Sequence, residues 1–176
     1  MDNKEYRKLH AEWYELVSSK KDHSEEINFW VRSIEASSEP ILELGSGTGR
    51  ILIPLLEQGF DISGIDTSKD MISRCRKRCN EKGLKADLYK KSMLDFNLPR
   101  KFGLVILGSG GLGLFTRDKD IHLTFERVMA HLKPGGLFIY EFEPVPAEDN
   151  ENQNNNKWVG DWLSESNDVV IAWRSK

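Results

Sequence analysis

Only two cysteines occur among the 176 residues, Cys75 and Cys79, four apart in a segment with helical apolar spacing. One helix face cannot supply the ligands of a structural zinc site, and no histidine stands nearby, so no metal centre is expected. A disulfide inside one helical turn would be strained, which leaves both thiols as semi-buried packing groups in a reducing compartment. No run approaches the ~18 apolar residues a membrane span needs. The opening M-D-N-K-E-Y has no signal-peptide apolar region, so the expected compartment is the cytoplasm, with no membrane partner. Excess charge is lacking too: a formal net charge of −3 gives no electrostatic reason to expect nucleic acid. Arg74, Arg76, Lys77 and Arg78 do cluster, but off the apolar face and without interleaved aromatics, and read as a solvated helix face.

The chain does have a length suited to one domain with a real core, and an apolar content of 39% beside 30% charged residues places it among globular proteins. Its organising stretch is Pro40 to Arg50, P-I-L-E-L-G-S-G-T-G-R. A short apolar run ends in Gly45, Gly47 and Gly49 and passes directly into a periodic apolar segment. That is a buried strand, a tight turn and a helix start, the place where α/β proteins bind nucleotide-like ligands. Glycine lets the backbone take positive φ and lets a ligand lie against the main chain. Dinucleotide binding needs a small residue where Arg50 stands, so the G-x-G-x-x-G fingerprint fails. The spacing is G-x-G-x-G instead, behind an acid, Glu43, in an apolar strand. Such a carboxylate is costly to bury without a positive or hydrogen-bonding partner, and an amino-acid ammonium would serve.

Glu43 to Gly49 resembles, position by position, the E/D-x-G-x-G-x-G signature of class I S-adenosylmethionine (SAM) dependent methyltransferases. The resemblance implies an α/β fold, a doubly wound, mostly parallel sheet, with SAM as cofactor. Further segments agree in order and spacing. Phe60 to Asp66 reads as a second strand ending in an acid, which can accept from both hydroxyls of an adenosine ribose. Thr67 follows, then Ser68, an N-cap for a helix through Met71, Ile72, Cys75 and Cys79. In the family this D-x-S-x-x-M segment closes over the ribose and the adenine edge. Lys85 to Lys90 reads as the third strand, entering Ser92, Met93 and Leu94. Ser92 stands where the family commonly has an acid that meets the adenine amino group, and the Met93 N–H could serve a ring nitrogen. Phe102 to Leu107 is the fourth strand, with Gly103 where the family usually has an acid. The loop Gly108 to Phe115 then lies at the switch point, where substrate should approach. Lys133-Pro134-Gly135-Gly136 ends a helix through Ile121, Phe125, Val128, Met129 and Leu132 and leads to a fifth strand, Leu137 to Phe142, another phrase common in the family.

Two amphipathic helices precede the first strand, one over residues 4–19 (Tyr6, Leu9, Trp13, Leu16, Val17), the other from Ser24 as N-cap through Ile27, Trp30, Val31 and Ile34. By resemblance they form a cap over the cofactor, and a tyrosine there, Tyr6 or Tyr14, could reach its carboxylate. The expected cofactor residues are therefore Tyr14, Glu43, Gly45, Ser46, Gly47, Thr48, Gly49, Asp66, Thr67, Met71, Ser92, Met93, Leu94 and Gly108. Residues 1–143 form the SAM-binding domain, with 1–36 as its helical cap. Residues 144–157 are a polar loop, and 158–176 a β-hairpin that reads as the start of a substrate-covering extension. The last sheet strands of the family are not found beyond it. An uncovered fifth strand would invite pairing, so a second copy is expected at that edge or at the hairpin unless the hairpin covers it. The implied reaction is methyl transfer to a small-molecule acceptor by in-line displacement; the alternative is a SAM-binding module without catalysis. None of His10, His23, His122 and His131 has a base constellation, and no catalytic residue is assigned.

Overall fold

The computed structural model describes residues 9–18, 20–35, 39–108, 111–142, 162–163 and 169–174. Tyr6, the polar loop 144–157 and the Ser109–Gly110 pair lie outside these. Two helices, α1 (Leu9–Ser18) and α2 (Ser24–Glu35), precede the first strand, β1 (Ile41–Leu44). Then come α3 (Leu52–Glu57), β2 (Ile62–Asp66), α4 (Lys69–Glu81), β3 (Asp87–Lys90), β4 (Phe102–Leu107), α5 (Asp118–His131) and β5 (Leu132–Phe142). The strands β6 (Trp162–Leu163) and β7 (Val169–Arg174) close the sequence of elements. The sheet order is β3-β2-β1-β4-β5-β7-β6. The first five strands run parallel, in the doubly wound arrangement expected from alternating strands and helices. The order reverses between β1 and β4, so the switch point falls at their carboxyl ends.

Alternation along the buried strands divides the core between the two faces. Ile41, Ile62, Leu104, Ile106 and Ile139 pack with Trp30 and Ile34 of α2, Leu52, Ile53 and Leu55 of α3 and Ile72, Cys75 and Cys79 of α4. Leu42, Leu44, Val105, Leu107, Phe138 and Tyr140 pack on the other face against Val128 of α5 and the Phe96–Leu98 segment. Both cysteines are fully buried rather than semi-buried, and both are free thiols.

The hairpin joins the sheet. β7 pairs antiparallel with β5 from Leu137↔Arg174 to Phe142↔Val169, and β6 pairs antiparallel with β7. The sheet thus has seven strands, where the sequence showed five and a separate hairpin. The outer edge of β5 is occupied, so it does not offer a second copy the pairing that the open edge would.

Four local readings are corrected. Ser24 is the first residue of α2 rather than its cap, and Asp22 Oδ1 accepts from its N–H at 2.9 Å. In α1 the apolar stripe turns outward, leaving Trp13 63% and Leu16 56% exposed, while Ala11 is buried. Ion pairs accompany this orientation. Arg74 of α4 reaches Glu12 (2.7 Å) and Glu15 (2.8 Å), so the helix docks by its polar side. The α4 basic group is a solvated face only in part: Arg76 and Lys77 are exposed, whereas Arg74 and Arg78 are half-buried, Arg78 donating to Thr48 O at 2.7 Å. In α5, Met129 is 49% exposed, and the buried stripe is Asp120, Thr124, Val128 and His131. Its polar members are satisfied: Thr124 Oγ1 donates to Asp120 O (2.9 Å), and His131 takes the Leu98 N–H on Nε2 at 3.0 Å.

Candidate cofactor-binding site

β1 delivers the glycine turn to the switch point, and its glycines do different work. A Cβ on Gly49, whose φ is +85°, would stand 2.7 Å from Cys75 Sγ and 2.8 Å from Ile53 Cδ1. This glycine lets α3 and α4 close up behind the turn. A Cβ on Gly47, at φ +53°, would meet nothing nearer than Gly45 O at 3.9 Å. The space over Gly47 is open, as a bound group requires. Ser46 and Thr48 are buried, Ser46 beside Gly64 of β2, whose Cβ position is 2.7 Å from Ser46 Oγ. Thr48 is held through its carbonyl by Arg78. Both shape the turn from behind.

Asp66 ties this turn to the next one. Its Oδ2 accepts from Gly47 N at 3.0 Å and its Oδ1 from Ser68 N at 2.7 Å. Ser68 in turn caps α4, its Oγ accepting from Met71 N at 3.3 Å. A carboxylate offers about four acceptor positions, so a brace of this kind is compatible with hydroxyl donors from a ribose. Thr67 is half-buried beside it, whereas Met71 is buried in the core.

After β3 the chain returns toward the turn: Met93 Cε lies 3.7 Å from the Cβ position of Gly45. Ser92 Oγ accepts from Leu94 N at 3.1 Å, which shapes this loop locally. Gly108 ends β4 one strand away, with Ile51 Cδ1 2.6 Å and Trp30 Cζ2 3.5 Å from its Cβ position. The structure therefore brings Gly45–Gly49, Asp66–Ser68 and Met93 together, with Gly108 alongside.

Sequence reasoning gave no site role to Arg50 or Glu26. Arg50 follows the third glycine and pairs through Nη1 with Glu26 Oε2 of α2. Tyr14 hydrogen-bonds the same guanidinium, so Arg50 ties both cap helices to the start of α3. The available signal was a lone cation opening an otherwise apolar helix. Glu43 is the electrostatic centre. It is only 4% exposed and its Oε2 has no partner. Burial pushes its carboxyl up to about 8, against the pull of Arg50 and the Leu52 N–H and with the push of Glu26 and Asp66. An orphaned buried acid beside an open glycine turn is a place for a cationic group to dock.

Residues 41–136 match the profile of a family described as a methyltransferase domain. The chain belongs to that family. The chain is 30% identical over 141 residues to the dTDP-3-amino-3,4,6-trideoxy-alpha-D-glucopyranose N,N-dimethyltransferase of Streptomyces venezuelae, covering 77% of this chain and 58% of that one. It is 31% identical over 119 residues to the putative methyltransferase YqeM of Bacillus subtilis, covering 64% and 47%. The chain thus spans about half to two thirds of the length of such relatives. Among solved structures it resembles Streptomyces venezuelae DesVI (TM-score 0.68, 25% identity, 96% of this chain and 71% of that one). It also resembles the glycopeptide N-methyltransferase MtfA complexed with SAM (TM-score 0.65, 25% identity, 88% and 67%). SAM is the cofactor that the residues of the methyltransferase domain fit. The orphaned Glu43 oxygen suits its ammonium, the open face of Gly47 its backbone contact, and Asp66 its ribose. Among the described residues no group of three or more His, Cys, Asp or Glu could hold a metal ion, and no helix is long and apolar enough to cross a membrane.

Proposed function

We propose that the chain catalyses SAM-dependent methylation of a small molecule, with an amine as the accepting group. The observation that carries the reading is the buried Glu43 carboxylate, whose Oε2 has no partner, beside the open Gly47 turn that Asp66 braces. The amine is supported by relatives named as N,N-dimethyltransferases of dTDP-linked amino sugars and by the N-methyltransferase MtfA. When bound, the cofactor supplies an electrophilic methyl on a sulfonium sulfur.

The chain's own residues then have positional roles. Glu43 neutralises the ammonium, Asp66 holds the ribose, and the Ser92–Leu94 loop borders the adenine. Arg50, held by Glu26 and Tyr14, stands beside the same end of the site and fixes the two cap helices over it. Holding the acceptor nitrogen in line at ~3–3.5 Å from the methyl can supply most of the rate enhancement, and the amine attacks in its neutral form, its surplus proton having passed to solvent.

The test is titration of the 176-residue chain with SAM, followed by isotope-labelled methyl transfer to amines and to their hydroxyl counterparts. Transfer to amines alone supports the reading. SAM binding with no transfer to either class leaves a cofactor-binding module instead.

A further inference from the structure

Beyond β4 the chain forms a single 3-10 turn, Gly111–Leu114, whose two halves face different surroundings. Gly111 and Leu112 are buried. A Cβ on Gly111 would stand 2.4 Å from Leu107 Cδ1, so the turn folds directly onto the last residue of β4. Leu112 joins the same core as Leu107, Phe138 and Tyr140, and Phe115 N donates to Leu112 O at 3.1 Å, which holds the turn closed. Gly113 and Leu114 form the outer half. Leu114 is 54% exposed, and a Cβ on Gly113 would meet nothing within 4 Å.

Gly113 has no reason in the fold to be a glycine. Its φ lies outside the left-handed region, and no neighbour crowds its Cβ position. Gly47 and Gly49 take left-handed φ, and Gly108 and Gly111 are crowded by side chains, so each of these has such a reason. Glycine in a helical turn also costs conformational entropy that alanine would spare. The missing side chain keeps space open on the outside of the turn.

That space lies beside the mouth of the site. Gly108, alongside the glycine turn, stands three residues before Gly111, a reach of about 10 Å at most. The Gly111–Leu107 approach draws the 3-10 turn back over the carboxyl end of β4. The sheet order reverses between β1 and β4, so this is the end at which a ligand meets the sheet. From Gly111 to Phe115 no side chain can donate or accept a hydrogen bond. Such a wall suits hydrocarbon and has nothing with which to read hydroxyl groups.

We propose that Gly113 and Leu114 are specificity-determining residues, the apolar wall against which the acceptor lies. The acceptor is an amine whose carbon frame turns a hydrocarbon face to this wall, as a deoxygenated or carbocyclic ring does. Leu114 loses its exposure to water against that face, which favours binding. The absent Cβ of Gly113 sets the bulk the wall admits, since any side chain there takes up room the ring needs. This deepens the proposed amine methylation and rests on it: that reading names the reacting group, and this one names the residues that limit what carries it.

The test uses the whole chain saturated with the demethylated cofactor, S-adenosylhomocysteine (SAH), and three probes followed by ligand-observed NMR, which reads millimolar affinities. They are cyclohexylamine, 1-adamantylamine and 2-amino-2-deoxyglucose. All three carry a primary amine, so differences among them report the wall and not the reacting group. Titration with SAH comes first for every protein; failure in the wild type overturns the methyltransferase reading itself. With SAH bound, the wild type should bind cyclohexylamine at least about threefold tighter than the amino sugar. Gly113→Leu should weaken 1-adamantylamine at least about tenfold and cyclohexylamine by less, with SAH affinity unchanged. Gly113→Ala adds one methyl in open space, so it should keep Tm and weaken 1-adamantylamine in the same direction. Leu114→Asn should erase the preference for cyclohexylamine over the amino sugar. No binding of any probe by the wild type, a wild type that prefers the amino sugar, probe affinities unmoved in both Gly113 variants, or an equal fall in SAH affinity would each overturn the assignment.

Discussion

Three residues of the glycine turn and its surroundings allow function and stability to be separated. Gly47→Ala places a methyl in open space at φ +53°. The cost to the fold should be about 1–2 kcal/mol of backbone strain, while the cofactor meets that methyl and binding is lost. Gly49→Ala drives a methyl to 2.7 Å from Cys75 Sγ at φ +85°. It should cost roughly 2–4 kcal/mol through strain and overpacking together, visible as a large fall in Tm before any ligand is added. Equal stability losses for the two variants in chemical denaturation would contradict this division. Glu43 makes a pH prediction. Its folded carboxyl sits at about 8 against 4.5 for the ordinary group, because burial outweighs Arg50. Between those values the folded chain holds a proton that the unfolded chain has released, so stability from this group is complete below about 4.5 and is lost as pH rises through about 8. An ammonium beside Glu43 reverses its preference, so SAM binding should release a proton to buffer near pH 7. Calorimetry in buffers of different ionisation enthalpy reads that release, and Glu43→Gln should abolish it.

At the scale of elements, legibility followed local chemistry. The buried run Ile41 to Leu44, the G-x-G-x-G turn, Asp66 at the end of β2 and the Ser68 cap were all readable, because each feature is dictated by a neighbour in the chain. The Gly135 turn after α5 was readable too, but its consequence was not. Gly135 takes φ +77°, and β5 begins at Leu132, with the register to β4 passing from Phe102↔Leu132 to Leu104↔Leu137 across an irregularity. The orientation of α1 was misread for a long-range reason. Apolar spacing predicts that Trp13 and Leu16 face inward, whereas both are exposed and the helix meets Arg74, more than fifty residues away, through Glu12 and Glu15. The Arg50–Glu26 pair was invisible for the same reason. These contacts differ in worth. Arg74→Ala removes partly exposed pairs and should cost less than about 1 kcal/mol in global stability, most of it screened by salt. Arg50→Met leaves the half-buried Glu26 with only His23 beside it, at 3.3 Å, and should loosen both cap helices. Hydrogen exchange should show protection falling in α1 and α2 while β1 and β4 keep theirs; uniform loss across the sheet would mean that Arg50 stabilises the core instead.

In the whole molecule, the sheet and the candidate cofactor site meet at one place, the carboxyl ends of β1, β2 and β4. The hairpin completes the sheet from the other side by occupying β5 along six residue pairs. Removing residues 158–176 should expose that edge and shift the protein to concentration-dependent association in size-exclusion chromatography. A truncated chain that stays monodisperse at the elution volume of a monomer would show that the edge needs no cover. The site itself rests on an acid, three glycines and a second acid brought together by parallel register, and on Arg50 standing where a dinucleotide fold needs a small residue. That departure is the ground for expecting SAM and not NAD to bind. Calorimetric titration of the intact chain with SAM, SAH and NAD therefore tests the central claim most directly. SAM and SAH should bind in the micromolar range, about −8 kcal/mol, and weaken at least tenfold in Asp66→Ala, with no heat from NAD. NAD binding as tightly as SAM, or SAM affinity unchanged in Asp66→Ala, would contradict the account.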